Sequence, residues 1–265
     1  MKKRKKDQKK ASIYVRFMTS LAKIIFPKAE VSWEEPLQEN EVAIFACNHS
    51  AAIGPAYTSL YLDIPKRPWV ISYILDKKKA SNFVFHDFLF AKDKKCKPFF
   101  RIVAFFIAKF LPPVLKQQDP IAVHHSNKMV ETFLDSVNTL TKQNKSLVIF
   151  PEKPQKYSEF IFELYDGFVD IAHQYYKDTG KSLRFFPTYV CGSLHKIVIG
   201  KPITYNPEEK NKAQRKIISN YIKENIDRLG RSLPKHKTVP FLPDLWFDSY
   251  SQYVNDISKY WELFE

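Results

Sequence analysis

The sequence predicts an α/β fold with a mostly parallel central sheet flanked by helices, bracketed by an N-terminal amphipathic helix and a C-terminal helical extension. Two observations carry that prediction. Short apolar runs of strand length alternate with longer stretches whose apolar residues recur at helical spacing, the order expected of a layered α/β chain. Two of the strand-length runs, Val42–Cys47 and Ser146–Phe150, each stop at a polar cluster, Asn48-His49-Ser50 and Pro151-Glu152. Polar groups at the end of a buried strand are where α/β proteins usually place their chemistry.

In chain order, residues 1–10 hold six lysines and one arginine against one aspartate. Self-repulsion keeps such a run from packing. From Ile13 to Phe26 apolar residues fall at helical spacing with Arg16 and Lys23 among them. A basic run leading into an amphipathic helix is a membrane-surface anchor pattern. Charges interrupt any apolar core and no cleavage site follows, so it does not read as a signal peptide. Residues 33–40 read as a connection, and 42–47 as a strand. Trp69–Ile74 is expected to be a further strand.

Phe99–Val114 is the most apolar stretch. Arg101 and Lys109 interrupt it, and about 20 apolar residues are needed to cross a bilayer, so a core or interfacial helix is expected rather than a span. Helices are expected at 126–142, with Ser126 as N-cap, at 160–177, closing at Gly180, and at 207–229, with Pro207 near its first turn. Strands are expected at 146–150, 184–190 and 196–203. Beyond Gly230 the composition turns proline- and aromatic-rich, ending in a helix with Tyr250, Tyr253, Ile257 and Trp261 on one stripe. The organisation read from this is a basic tail and surface helix at 1–30, a main domain at 31–230 and an extension at 231–265.

The formal net charge is +14, which calls for an anionic partner, nucleic acid or a membrane surface. No basic-aromatic recognition motif is present and apolar content is 45%, so the expectation is a membrane surface and no nucleic acid. The three cysteines, Cys47, Cys96 and Cys191, are far apart with no C-x-x-C spacing, so neither a disulfide framework nor a metal site is expected, and a reducing, cytosolic-side location is the default. His124 and His125 are adjacent and would not share a helix face. His49, at the end of a buried strand, is the side chain best suited to take a proton from a hydroxyl near neutral pH. The bland alternative is a structural turn histidine.

Asn48-His49-Ser50 after one strand, Phe150-Pro151-Glu152 about a hundred residues later, Phe186-Pro187-Thr188-Tyr189-Val190 and Ile199-Gly200-Lys201-Pro202-Ile203 occur in that order. Together they resemble the glycerolipid acyltransferase family of the lysophosphatidic acid acyltransferase type, whose signatures are N-H-x-x-x-x-D and F-P-E-G-T-R. The resemblance covers about residues 40–228. His173 and Asp178 also satisfy H-x-x-x-x-D, but inside a helical pattern, and are read as a decoy.

The resemblance implies an O-acyltransferase in which His49 deprotonates an acceptor hydroxyl. That hydroxyl attacks the thioester of an acyl-CoA or acyl carrier protein, which serves as co-substrate, with no metal or other cofactor. It further implies Asn48, Lys116, Glu152, Lys153 and Lys156 as the substrate-binding set. Lys116 is the nearest counterpart of a phosphate-binding arginine, and the acceptor is a lysophospholipid such as 1-acylglycerol-3-phosphate. The expected place of action is peripheral, on the cytoplasmic face of a membrane. Two departures stand out: Gly54 falls where the family has its aspartate, and Lys153-Pro154-Gln155 replaces G-T-R. The first motivates an alternative reading, a protein that binds lipid or acyl carrier without turnover.

Overall fold

A computed structural model describes residues 13–76, 78–87, 97–124, 128–153, 160–161 and 163–239. The tail at 1–10, Ser126, His125, Lys156 and the aromatic helix beyond 240 lie outside the described residues.

The chain runs α1 (Ile13–Ile25), β1 (Glu30–Trp33), β2 (Ala43–Cys47), α2 (Ile53–Tyr61), β3 (Lys66–Ile71), α3 (Ser72–Leu75), α4 (Ala80–Asp87), α5 (Lys97–Lys116) and β4 (Ile121–Val123). It continues through α6 (Met129–Thr141), β5 (Ser146–Ile149), a 3-10 turn at Gly167–Val169, α7 (Asp170–Thr179), β6 (Arg184–Cys191), β7 (Lys196–Ile199), β8 (Ile203–Thr204) and α8 (Asn211–Ser232). The strands form one mixed sheet in the order β1-β7-β6-β2-β5-β3-β4, with β8 beside β6. The five strands β6, β2, β5, β3 and β4 are mutually parallel, whereas β7 and β8 pair antiparallel with β6. The predicted α/β architecture, mostly parallel and flanked by helices, is the one observed.

β2 lies at the centre and every residue of it is fully buried. Its side chains alternate between two cores: Ile44 and Ala46 pack under α6, α7 and α8, while Ala43, Phe45 and Cys47 pack on the other face with Tyr57 of α2 and Phe186. Apolar residues on both faces are what a doubly covered parallel strand requires. Because the parallel strands share one direction, the ends of β2, β3, β4, β5 and β6 meet at a single carboxyl edge.

Several sequence expectations shift on folding. Strand β3 begins at Lys66 and ends at Ile71, so Ser72–Ile74, expected to be extended, forms the short helix α3. Residues 30–33, partly assigned to a connection, pair with β7 as β1. The expected helix at 160–177 is helical only from the 3-10 turn onward. Ahead of it, Tyr165 and Lys153 donate main-chain hydrogen bonds to Pro151 O and Glu163 O (2.8 and 2.7 Å), making a small antiparallel ladder with Glu152 opposite Leu164. Gly180 closes α7 in the left-handed conformation as expected, at φ 68°. Helix α8 starts four residues after Pro207, because Asn206 and Gln214 tie up residues 206–208 in a turn. It runs through the expected boundary at residue 230.

Helix α5 returns the chain from the carboxyl edge after β3 to the amino edge before β4. Phe100, Ala104, Ile107, Leu111 and Leu115 form one stripe, spaced three and four apart, that packs on α3 and α4. The opposite stripe, Phe99, Ile102, Phe105, Phe106 and Phe110, is bare. Among the described residues α5 is the one helix long and apolar enough to cross a membrane by length and composition. No residue of α1 is buried, and Tyr14 ties it to α5 by donating to Phe110 O at 3.0 Å.

The two stripes predict opposite mutational responses. Replacing Phe105 and Phe106 by Ser leaves the urea-unfolding free energy within about 0.5 kcal/mol per substitution. Overfilling the packed stripe with Ala104→Leu lowers it by about 2 kcal/mol.

Candidate active site

The site is built where β2 stops. Asn48 is buried, and its side-chain amide clamps β6: Oδ1 accepts from Val190 N at 2.6 Å, while Nδ2 donates to Val190 O at 3.1 Å and to Ser50 Oγ at 2.8 Å. Both amide hydrogens are thereby committed within the protein. Asn48, expected in the substrate-binding set, is placed as a positioning group that fixes where the next residue begins.

The following turn is left-handed at two consecutive non-glycine residues, Ser50 at φ 45° and Ala51 at φ 51°. Each costs about 1 kcal/mol because Cβ crowds the carbonyl oxygen. The turn brings the Ala51 carbonyl onto His49 Nδ1 in a short hydrogen bond. A carbonyl can only accept, so Nδ1 carries the proton and the lone pair of the neutral ring lies on Nε2. The ring stands edge-on to Phe150 at the end of β5, with centroids 5.2 Å apart. Burial pushes the imidazole pKa down to about 4, against the opposing effect of the Ala51 hydrogen bond. His49 is therefore neutral at pH 7.

Glu152 follows the neighbouring strand β5. It is 5% exposed, and its Oε1 accepts the main-chain N–H of His49. The two sequence motifs, 103 residues apart, are thus joined by a direct hydrogen bond across the carboxyl edge.

Gly54, the position where the resembled signature has an aspartate, admits no side chain. A Cβ built there would lie 2.5 Å from both Asn48 O and His49 O. The first turn of α2 closes directly on those carbonyls, with Gly54 N donating to His49 O at 3.0 Å. No side chain fits at this position, and the role of orienting the imidazole falls to the Ala51 carbonyl.

Of the expected lysines that the structure describes, Lys116 and Lys153 are not brought together. Lys153 sits beside Glu152, with Nζ 5.7 Å over the Tyr165 ring. Lys116 is exposed at the last turn of α5. Its carbonyl caps Asp119, whose own carbonyl accepts from Arg67 at the start of β3. Lys116 therefore lies at the amino edge of the sheet, opposite His49. The spacing that suggested it counts residues but does not reveal that α5 has carried the chain across the sheet. Cys47, next to Asn48, is no rival nucleophile: it is fully buried and burial pushes its thiol well above the usual range. His173 donates to or accepts from Tyr205 OH at 2.9 Å on α7, away from this edge, as expected of a decoy.

In fold, the chain is similar to the 1-acyl-sn-glycerophosphate (LPA) acyltransferase PlsC from Thermotoga maritima. The match has a TM-score of 0.50 and 11% sequence identity over 83% of this chain and 81% of that one. At that identity the likeness is one of fold. No protein-family model and no curated protein sequence matches the chain. The residues that sequence reasoning missed, Ala51 and Val190, act through main-chain atoms and carry no side-chain signal.

Two outcomes follow. Gly54→Ala lowers stability by about 3 kcal/mol in urea unfolding, since the clash is with backbone. His49, held neutral in the fold but protonated near pH 6.5 when unfolded, makes stability fall as pH drops from 6.5 toward 4. In His49→Gln that part of the slope disappears, as pH-dependent urea titrations would register.

Proposed function

We propose that the protein is an acyltransferase that moves a fatty acyl group from a thioester, acyl-CoA or acyl carrier protein, to a hydroxyl of a lysophospholipid-type acceptor. The observation that carries this reading is the His49 arrangement. A neutral imidazole with its proton fixed on Nδ1 offers Nε2 as base at the carboxyl edge of the sheet. The likeness in fold to an LPA acyltransferase supports the same chemistry.

In this mechanism Nε2 takes the acceptor hydroxyl proton as the oxygen attacks the thioester carbonyl. The tetrahedral intermediate then collapses, the C–S bond breaks, and the imidazolium returns its proton to the thiolate. The transient charge on the ring is stabilised by the Ala51 carbonyl, which takes the place of a carboxylate. Glu152 holds the His49 main chain, and Lys153 next to it supplies a cation for an anionic head group. Neither a covalent acyl-enzyme nor a metal enters the scheme.

The bare stripes of α1 and α5 support peripheral association with a membrane, which we place on its cytoplasmic face. Twenty helical residues span about 30 Å, but Arg101, Lys109 and the packed stripe against α3 and α4 favour α5 lying along the surface.

Thiol release from acyl-CoA, and separately from acyl carrier protein, with a panel of lysophospholipids tests the reading. Wild type is expected to release thiol only with acceptor, and His49→Ala to lose about 10²- to 10⁴-fold in kcat. The acidic limb of the wild-type kcat/KM profile is expected below pH 6.5, toward the His49 value near 4. Acceptor-independent release, or full activity in His49→Ala, overturns the mechanism. Acceptor binding with no release from folded wild type would instead identify a binding protein without turnover.

A further inference from the structure

Helix α4, the segment before it and the first turns of α5 border an open surface pocket of about 240 Å³ lined by Lys78, Ser81, Asn82, Phe85 and Arg101. Among the described residues the lining holds two cations, a hydroxyl, an amide and one aromatic ring, and no carboxylate. Asp76, two residues before Lys78, is turned to the main-chain N–H of Lys78, which donates to it at 2.8 Å. Arg101 is exposed, but its guanidinium lies 5.0 Å over the ring of buried Phe85, a cation-π contact that orients it. A guanidinium fork, an ammonium and neutral donors around one concavity are complementary to the oxygens of a phosphate group.

Its place in the fold narrows the ligand. Arg101 is flanked on α5 by Phe99, Ile102 and Phe105, which are 63%, 57% and 58% exposed. The pocket thus opens beside the end of the apolar stripe away from Phe110, where α1 docks through Tyr14. Arg101 lies 15 residues, about 22 Å of helix, before Lys116 at the amino edge, so the pocket lies at the end of α5 away from that edge. We propose that this pocket binds the phosphate headgroup of an anionic phospholipid while the Phe99–Phe110 stripe rests among the acyl chains. The headgroup then fixes which edge of the sheet faces the bilayer. This inference rests on the membrane association proposed above but not on turnover.

The test is vesicle co-sedimentation of the full chain without acyl donor. One set of phosphatidylcholine vesicles contains phosphatidic acid, and the other is brought to the same surface potential with oleate. Wild type is expected to prefer the phosphatidic acid vesicles by about tenfold or more, the scale of one or two basic groups at a membrane surface. Lys78→Gln with Arg101→Gln is expected to abolish that preference. Lys23→Gln with Lys109→Gln removes equal charge from α1 and α5 outside the pocket, and is expected to weaken both kinds of binding while the preference survives. Arg101→Lys, which keeps the charge but not the fork, is expected to fall between. A preference that survives in Lys78→Gln/Arg101→Gln, or falls equally in both double variants, overturns the proposal. So does inorganic phosphate binding in solution that is lost in Lys78→Gln/Arg101→Gln while vesicle binding is unchanged. Because no acyl transfer is read, a chain that binds this way yet releases no thiol would overturn the catalytic proposal alone.

Discussion

The clamp between Asn48 and Val190 sets the geometry of everything at the carboxyl edge. Two hydrogen bonds from one buried amide hold the last turn of β2 against the middle of the sheet. The chain must then reverse within a few residues to enter α2, and with the strand end immobile the reversal passes through two left-handed residues. That conformation is costly for Ser and Ala, and persists because the turn it makes is tied at each step: Ser50 Oγ to Asn48, the Ala51 carbonyl to His49, and Gly54 N to the His49 carbonyl. Orientation of the imidazole is a by-product of closing the turn.

The same closure leaves no room for a carboxylate at position 54. An aspartate in the first turn of α2 needs that helix to stand away from the strand end. Here the helix is drawn in until only a glycine fits, and the space an acidic side chain would use is taken up by main chain. A carbonyl dipole supports an imidazolium less strongly than a full negative charge but fixes the same tautomer. Burial keeps the ring unprotonated at neutral pH, so its basicity is lower than that of a solvated histidine and its readiness to accept is unaffected by mild acid.

Helix α5 shows how the same fold separates two environments. Its buried stripe completes a small core with Tyr73, Ile74, Phe83 and Val84, while its outer stripe is as apolar as the inner one. Apolar residues on two stripes fit the membrane contact proposed above. In that arrangement Arg101 and Lys109 would fall at the polar boundary, where long side chains can reach headgroups.

Sequence periodicity was sufficient for the layers. Runs such as Ala43–Cys47 and Ser146–Ile149 declare buried strands because doubly covered strands carry apolar residues on both faces. The stripes of α1, α5 and α6 declare helices because side chains three and four apart share a face. The sequence also pointed to His49 and Glu152, since a polar cluster ending a buried strand is an unusual local pattern. It did not reveal that Lys116 lies at the amino edge, took Ser72–Ile74 as strand, and read the stretch ahead of Gly167 as helix, because direction across the sheet and long-range main-chain pairing have no local signature. The partnership of His49 with Glu152 and the Ala51 carbonyl was decided by tertiary structure alone. Strand order brings β5 beside β2, and a carbonyl, identical in every residue, gains its role only from where the folded backbone aims it.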